Sequence, residues 1–304
     1  MSQPTAIVYK YVDQQAARKI IANGSLRFGR PSGMNDPFDV YIEDLFNVSL
    51  EQLEGQAVAD LLDLLLHNPG RFQAFVGADP SQVSRVSTMI GSILPQDRPA
   101  HFAAITATLL EEYGEDLAEM RRSLELERQR VIAQFERTAI FCITRNRDNL
   151  LMWAHYAQQH RGVVLGFRPD IERDSFLAIA KPVHYTDTRP TFYKPLDEMI
   201  AKNLPFTEKM QADFRNALIY SKSSHWSYEE ELRIDIPNGV PVEQEATFLN
   251  FYPTELVELY LGCRMDQPFR REIMAAAVEL NTHVLIFDAR LAKESYALAF
   301  EPAA

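Results

Sequence analysis

Glu229, Glu231 and Arg233 stand two residues apart in SHWSYEEELRID, with Trp226 just before them. On a strand this spacing aims all three side chains to one side. Two carboxylates beside an arginine suit acid–base work, recognition of ribose hydroxyls, or a metal; they equally suit a plain ladder of ion pairs. A second group is Trp153, His155, Tyr156, His160 and Arg161, within the stretch Asp148 to Phe167. At helical spacing Trp153, Tyr156 and His160 share one face and His155 lies on the adjacent one. That face either stacks a ring or nucleobase or packs as ordinary core, its polar tips satisfied. A third group, Asn35, Asp36 and Asp39, surrounds Phe38 in MNDPFD. Its carboxylates either accept hydrogen bonds from a ligand or only shape a turn. Lys10, flanked by Tyr9 and Tyr11, also has two readings: contact with an anion, or plain exposure on a strand.

Positioning these groups requires strands and helices in a mixed order. Ala6 to Val12 is β-branched and aromatic and predicts a strand. Asp13 is placed to cap a following helix that Gly24 closes, and Ser25 to Gly29 predicts a second strand. Pro31, Gly33 and Pro37 break regular structure, which makes Met34 to Asp39 a rigid loop. From Ser49 to Thr138 apolar residues recur at spacings of three and four, the mark of helices, broken at His67-Asn68-Pro69 and Leu94-Pro95. Ala139 to Thr144 predicts a buried strand leading into the capped amphipathic helix, turn and strand of 148–167. Further strands are expected at Lys181 to Tyr185, Leu256 to Gly262 and His283 to Phe287. Helices are expected from Leu196 to Asn216 and from Pro268 to Leu280. The fold class this implies is α+β, a mixed sheet body formed by 1–48 and 139–304 with a helical block, 49–138, inserted as a cap.

Composition narrows the field. The chain has 304 residues, with 31 Lys and Arg against 42 Asp and Glu, a net charge of −11. Such a surface repels phosphate and anionic membrane on average. Two cysteines without a C-x-x-C pair fit a reducing cytoplasm and leave a disulfide scaffold or cysteine-rich zinc site without material. Neither a basic-then-apolar start nor a run near the ~20 apolar residues of a membrane span is present, so a cytoplasmic location is expected. The P-loop, the dinucleotide fingerprint, the nucleophile elbow and H-E-x-x-H are absent.

Four segments together resemble a bacterial family, domain of unknown function 2971: Tyr9-Lys10-Tyr11, Met34 to Asp39, Asn149 to Ala157 with Gly162, and Trp226 to Arg233. A looser likeness concerns the opening order of strand, helix, strand and polar loop. It is similar to the start of ADP-ribosyltransferase-like domains. That resemblance implies NAD as substrate, with Lys10 or Tyr11 contacting it from the first strand and Tyr156 or Trp153 as the aromatic against nicotinamide. Glu229 or Glu231 would steady the oxocarbenium-like transition state. The His or Arg those enzymes carry on the first strand is replaced here by Lys10. The catalytic set expected on this basis is Glu229, Glu231 and Tyr156. The nucleotide would be held by Lys10, Tyr11, Asn35, Asp36 and Asp39 on one side and by Trp153, His155, Trp226 and Arg233 on the other. No metal is assigned. The chain would modify a protein or nucleic-acid target, as a toxin or phage-defence effector. Two other classes stay open: a metal-dependent hydrolase or nuclease using Asp36, Asp39, Glu229 and Glu231 with Mg²⁺ or Mn²⁺, and a binding or sensor module that uses the helical block as partner surface.

Overall fold

The computed structural model describes residues 6–40, 61–112, 132–189 and 208–303, with 122, 126, 129 and 130 between them. The expectations for 49–60, for most of the charged run 113–131 and for 196–207 lie outside the described residues. The chain divides into two compact units. One comprises Met1–Tyr41, Gln134–Arg189 and Asn216–Ala304; the other comprises Ile42–Ala133 and Pro190–Arg215.

The first unit is the α+β body. Its opening follows from local chemistry. Strand β1, Val8–Val12, alternates: Val8 and Val12 join one buried apolar cluster, Tyr9 and Tyr11 another. Helix α1, Gln14–Asn23, begins where the Asp13 carboxylate accepts from the Ala16 amide at 2.7 Å. It ends at Gly24, whose φ of 59° is costly for any residue with a Cβ. Strand β2, Ser25–Gly29, follows directly.

In the second unit the helical period holds. Residues 61–67 are helical, and α2 (Pro69–Val76), α3 (Pro80–Gly91) and α4 (Arg98–Glu112) follow. Asn68 and Asp79 cap α2 and α3 with their side chains, each with proline at the first helical position; the break expected at Asn68-Pro69 is thus a helix start, while Leu94-Pro95 lies in the turn between α3 and α4. Leu62, Leu65, Val83 and Ile90 form a small core there.

The body resumes with β3 (Ala139–Thr144), the short helix α5 (Leu150–His155), β4 (Val163–Phe167), β5 (Lys181–Pro182) and β6 (His184–Thr186). Helix α6 (Glu208–Ile219) begins in the second unit and ends in the body, which continues with β7 (Ser221–Ser223), a 3-10 turn (Ser224–Glu229), β8 (Glu231–Ile236) and β9 (Ala246–Asn250). The chain ends with β10 (Leu256–Leu261), α7 (Gln267–Leu280), β11 (Leu285–Leu291) and β12 (Leu298–Pro302). Among the described residues no helix is long and apolar enough to cross a membrane.

Ten strands form one sheet, with the path β12-β11-β10-β4-β1-β3-β2-β9 and with β8 joining β3 to β5. The pairing is antiparallel except between β10 and β11. One face is buried by α1 and α7, through Ala17, Ile20, Ile21, Phe269, Ile273 and Ala277. The other is buried by Met152 and Trp153 of α5 against Tyr9, Tyr11, Val164 and Tyr260. The sheet is not continuous in its middle. β3 pairs with β8 at all six of its positions, and β1 pairs with β4 at all five of its own. β1 and β3 meet at a single register position, Tyr9 opposite Thr144. The two strands part beyond it, and the candidate site lies at that parting.

Candidate functional site

A cavity of about 240 Å³ is lined by Tyr9, Lys10 and Tyr11 of β1 and by Cys142, Ile143 and Thr144 of β3. The loop after β2 adds Gly33, Met34, Asn35 and Asp39. Met152 and Tyr156 come from α5 and its cap, and Lys222, Glu229 and Glu231 from β7 through β8. Three of the four segments singled out in the sequence therefore converge on it with side chains, and the fourth, Trp226 to Arg233, supplies its carboxylates.

The carboxylates are held by two buried cations. Lys222 Nζ donates to Glu229 Oε2 at 2.5 Å and Glu231 Oε2 at 2.9 Å, and lies 3.6 Å from Asp39 Oδ2. Arg233, with no exposed surface, donates to both Asp39 oxygens at 3.0 and 2.6 Å, to Glu231 at 2.7 and 3.0 Å, and to the Ile219 carbonyl at 2.6 Å. Burial alone pushes the Glu231 carboxyl up, but Arg233, by charge and hydrogen bond, and Lys222 behind it reverse this and hold it well below the ordinary carboxylate range. Burial opposes the charge on Lys222 too, and is overridden by Glu231, Glu229 and Asp39, which raise its ammonium above the usual lysine range. Glu229 is different. Burial lifts its carboxyl above the ordinary value despite Lys222 and Tyr156.

Glu229 also faces the cavity with both oxygens engaged. Tyr156 donates its hydroxyl to Oε1 at 2.5 Å, and Asn35 Nδ2 donates to that same hydroxyl oxygen at 3.0 Å. Because the amide is a donor, the phenol proton is directed to Glu229. Burial and then Glu229 raise the Tyr156 phenol above its ordinary value, so it is a proton donor rather than a phenolate. The backbone of Glu229 is fixed by Thr144, whose hydroxyl donates to its carbonyl at 2.5 Å.

Several expected residues stand elsewhere. The helix carrying Trp153 stops at His155, and Gln158, Gln159 and His160 all take positive φ, so Tyr156 and His160 do not share a helical face. The turn is forced by close approach: a Cβ on Gly162 would lie 2.2 Å from the Val12 carbonyl. His160 instead folds back to stack on Trp153, ring centroids 5.9 Å apart and ring planes nearly parallel. Trp153 has no exposed surface, packs edge-on against Tyr11 and donates to the Arg147 carbonyl at 3.0 Å; it is core beneath the cavity and not a ligand platform. His155 is exposed and meets Trp226 edge-on, outside the cavity lining. Trp226 covers Lys222, whose Nζ lies 5.1 Å from the ring. Asp36 turns to the Phe38 amide at 2.9 Å and makes the loop's bend. Arg233 is an internal clamp. The three-residue ladder is broken, because Glu229 ends the 3-10 turn and Glu230 reverses the chain with a φ of 46°; only Glu231 and Arg233 share the strand.

Lys222 was not singled out from the sequence. No local signal marked it: only once the fold gathers Asp39, Glu229 and Glu231 around Arg233 is a second cation called for. Among the described residues no group of three or more His, Cys, Asp or Glu is placed to hold a metal ion. The carboxylates expected for one are turned to Lys222, Arg233 or the Phe38 amide. Cys142 lines the cavity, but burial pushes its thiol up to about 12.

No curated protein and no solved structure matches the chain. Residues 152–234, which carry Tyr156, Lys222, Glu229, Glu231 and Arg233 but neither Lys10 nor Asn35, match the model of a family described as protein of unknown function, DUF2971, the family to which the motifs pointed.

Proposed function

We propose that the cavity takes the nicotinamide end of NAD and that the chain is an ADP-ribosyltransferase-like enzyme acting on a protein or nucleic-acid target. The observation that carries this reading is Glu229: a carboxylate at the cavity wall, fixed at Oε1 by Tyr156 and at Oε2 by Lys222. When the ribose C1′–N bond breaks, positive charge builds on the sugar and nicotinamide leaves with the bonding electrons. A preorganised carboxylate stabilises that charge without reorganising. The acceptor's oxygen or nitrogen then bonds to C1′ and loses its proton, and Glu229, its carboxyl raised by burial, is suited to receive it. Glu231 is committed to Arg233 and Lys222, which assigns the acid's role to Glu229 and a supporting role to Glu231. A cavity of about 240 Å³ is smaller than the ~300–1,000 Å³ that encloses drug-sized ligands, so it fits one ring of the dinucleotide and leaves the rest outside.

The hydrolase alternative gains no support, since Asp39, Glu229 and Glu231 are already paired with cations and Asp36 is turned to the Phe38 amide. The test is nicotinamide release from NAD by the purified chain in cell extract, followed by chromatography. Glu229→Gln is expected to lower the rate by roughly 10²–10³. A Glu229→Gln protein as active as wild type, or a wild type that releases no nicotinamide, overturns the reading.

A further inference from the structure

The cavity wall holds two lysines in opposite conditions, Lys222 buried and Lys10 half-buried. Lys222 donates to Glu229 and Glu231 and forms a further ion pair with Asp39 at 3.6 Å. Lys10 has one acceptor. Its Nζ donates to the Cys142 carbonyl at 2.6 Å and lies 4.9 Å above the Phe141 ring, and among the described residues it makes no ion pair. The carbonyl it meets is on β3, next to the point where β1 and β3 part. Lys10 therefore reaches into the parting and, among the described residues, presents two N–H donors without partners at a cavity wall. Donors left at a cavity wall are available to a bound acceptor.

We propose that Lys10 is the ligand-facing cation of this cavity and that it receives a negatively charged oxygen, of a phosphate or a carboxylate, on the bound molecule. The surroundings agree. Burial depresses its ammonium below the ordinary lysine range, a penalty that an anionic partner relieves. Glu231 and Glu229 act on it by charge, and Arg27 on β2 adds a second positive charge. The carboxylates are close enough to be felt and are turned to Lys222 and Arg233 instead. A lysine serving only as their counter-ion would touch one of them.

The assignment rests on the cavity being a ligand site, and it deepens the NAD reading by stating which kind of group must enter. Calorimetric binding to wild type, Lys10→Met and Lys10→Arg tests it with two probe pairs. Nicotinamide mononucleotide and nicotinamide riboside differ by a phosphate; nicotinate and nicotinamide differ by a carboxylate. In one pair at least, wild type is expected to bind the charged member roughly ten- to hundredfold more tightly. Lys10→Met, which keeps the apolar stem, should bind both members alike. Lys10→Arg should keep part of the preference. The discriminating pair identifies the source of the charge. Equal binding within both pairs by wild type, or a preference that survives in Lys10→Met, overturns the assignment and leaves the NAD reading standing. If wild type binds none of the four probes, thermal stability in inorganic pyrophosphate separates the two ideas. Stabilisation that Lys10→Met abolishes keeps Lys10 as an anion receptor and removes the nicotinamide reading. No stabilisation removes the assignment as well.

Discussion

Lys222 Nζ lies 2.5 Å from Glu229 Oε2, and neither side chain has appreciable exposure. Two effects compete at such a pair. Taking both charges out of water is expensive, and their attraction in a low-dielectric interior repays it only with further hydrogen bonds. Here those bonds exist, from Tyr156 to Glu229 and from Lys222 to Glu231.

Removing one partner should therefore cost far more than removing both. Lys222→Met leaves Glu229 and Glu231 with less compensation and should destabilise the fold by about 3–5 kcal/mol. Lys222→Met combined with Glu229→Gln should recover a clear part of that loss. Urea unfolding of the two single variants and the double variant gives the coupling. Strict additivity would show that the pair does not act as a unit.

The acid side of the stability profile should belong to Glu231. Its folded-state carboxyl lies below the unfolded one, so its ionisation stabilises the fold above the unfolded value of about 4.3 and that contribution is lost as the pH falls through the window beneath it. Glu229 has the opposite sign: its folded-state carboxyl is raised, so its ionisation works against the fold as pH rises through the raised value. Urea midpoints of wild type and Glu231→Gln should differ most near pH 7 and converge on acidification. A gap that stays constant down to pH 3 would contradict this.

Tyr156→Phe should raise Glu229 further, since the phenol's hydrogen bond favours the carboxylate. A hydrogen bond to a charged group is worth about 1.5–3 kcal/mol. Nicotinamide release should fall by roughly tenfold or more, with its acidic limb displaced to higher pH. A pH–rate profile measures both. An unshifted limb would mean that the hydroxyl does not govern Glu229.

Gly262 is required by space. A Cβ there would lie 2.2 Å from the His160 carbonyl oxygen and 2.8 Å from that of Gly162, both backbone atoms that cannot swing aside. Gly262→Ala should cost at least 1–3 kcal/mol, read as a lowered melting temperature. Gly33→Ala, with open space around its Cβ position, should be close to neutral.

What the sequence disclosed about this molecule divides by range. The Asp13 cap, the αL Gly24 and strands β1 to β3 are decided within a few residues, so type and spacing sufficed. The expected face of Trp153, Tyr156 and His160 was lost because the helix is cut short by a tertiary contact, Gly162 against Val12, that no local pattern carries. Arg233 resembled a ligand residue because an arginine beside carboxylates looks the same whether it faces a substrate or closes a buried cluster. Asp39, 194 residues away, decides the matter. Lys222 in SKSS went unmarked, because the fold and no local pattern brings three carboxylates to it.

The parting of β1 from β3 also has a consequence for how the molecule breathes. Sheets normally exchange their amide hydrogens fastest at the edges and slowest at the centre. Among the described residues β1 meets β3 at one register position, and β3 on that side has one further pairing, Ile140 with Gly29 of β2. The amides that face the gap should exchange quickly while those of β4 and β8, one strand farther out, stay protected. A ligand seated in the gap would reverse the order. Slowed exchange in the middle of the sheet is thus a signal of occupancy that needs no knowledge of the reaction.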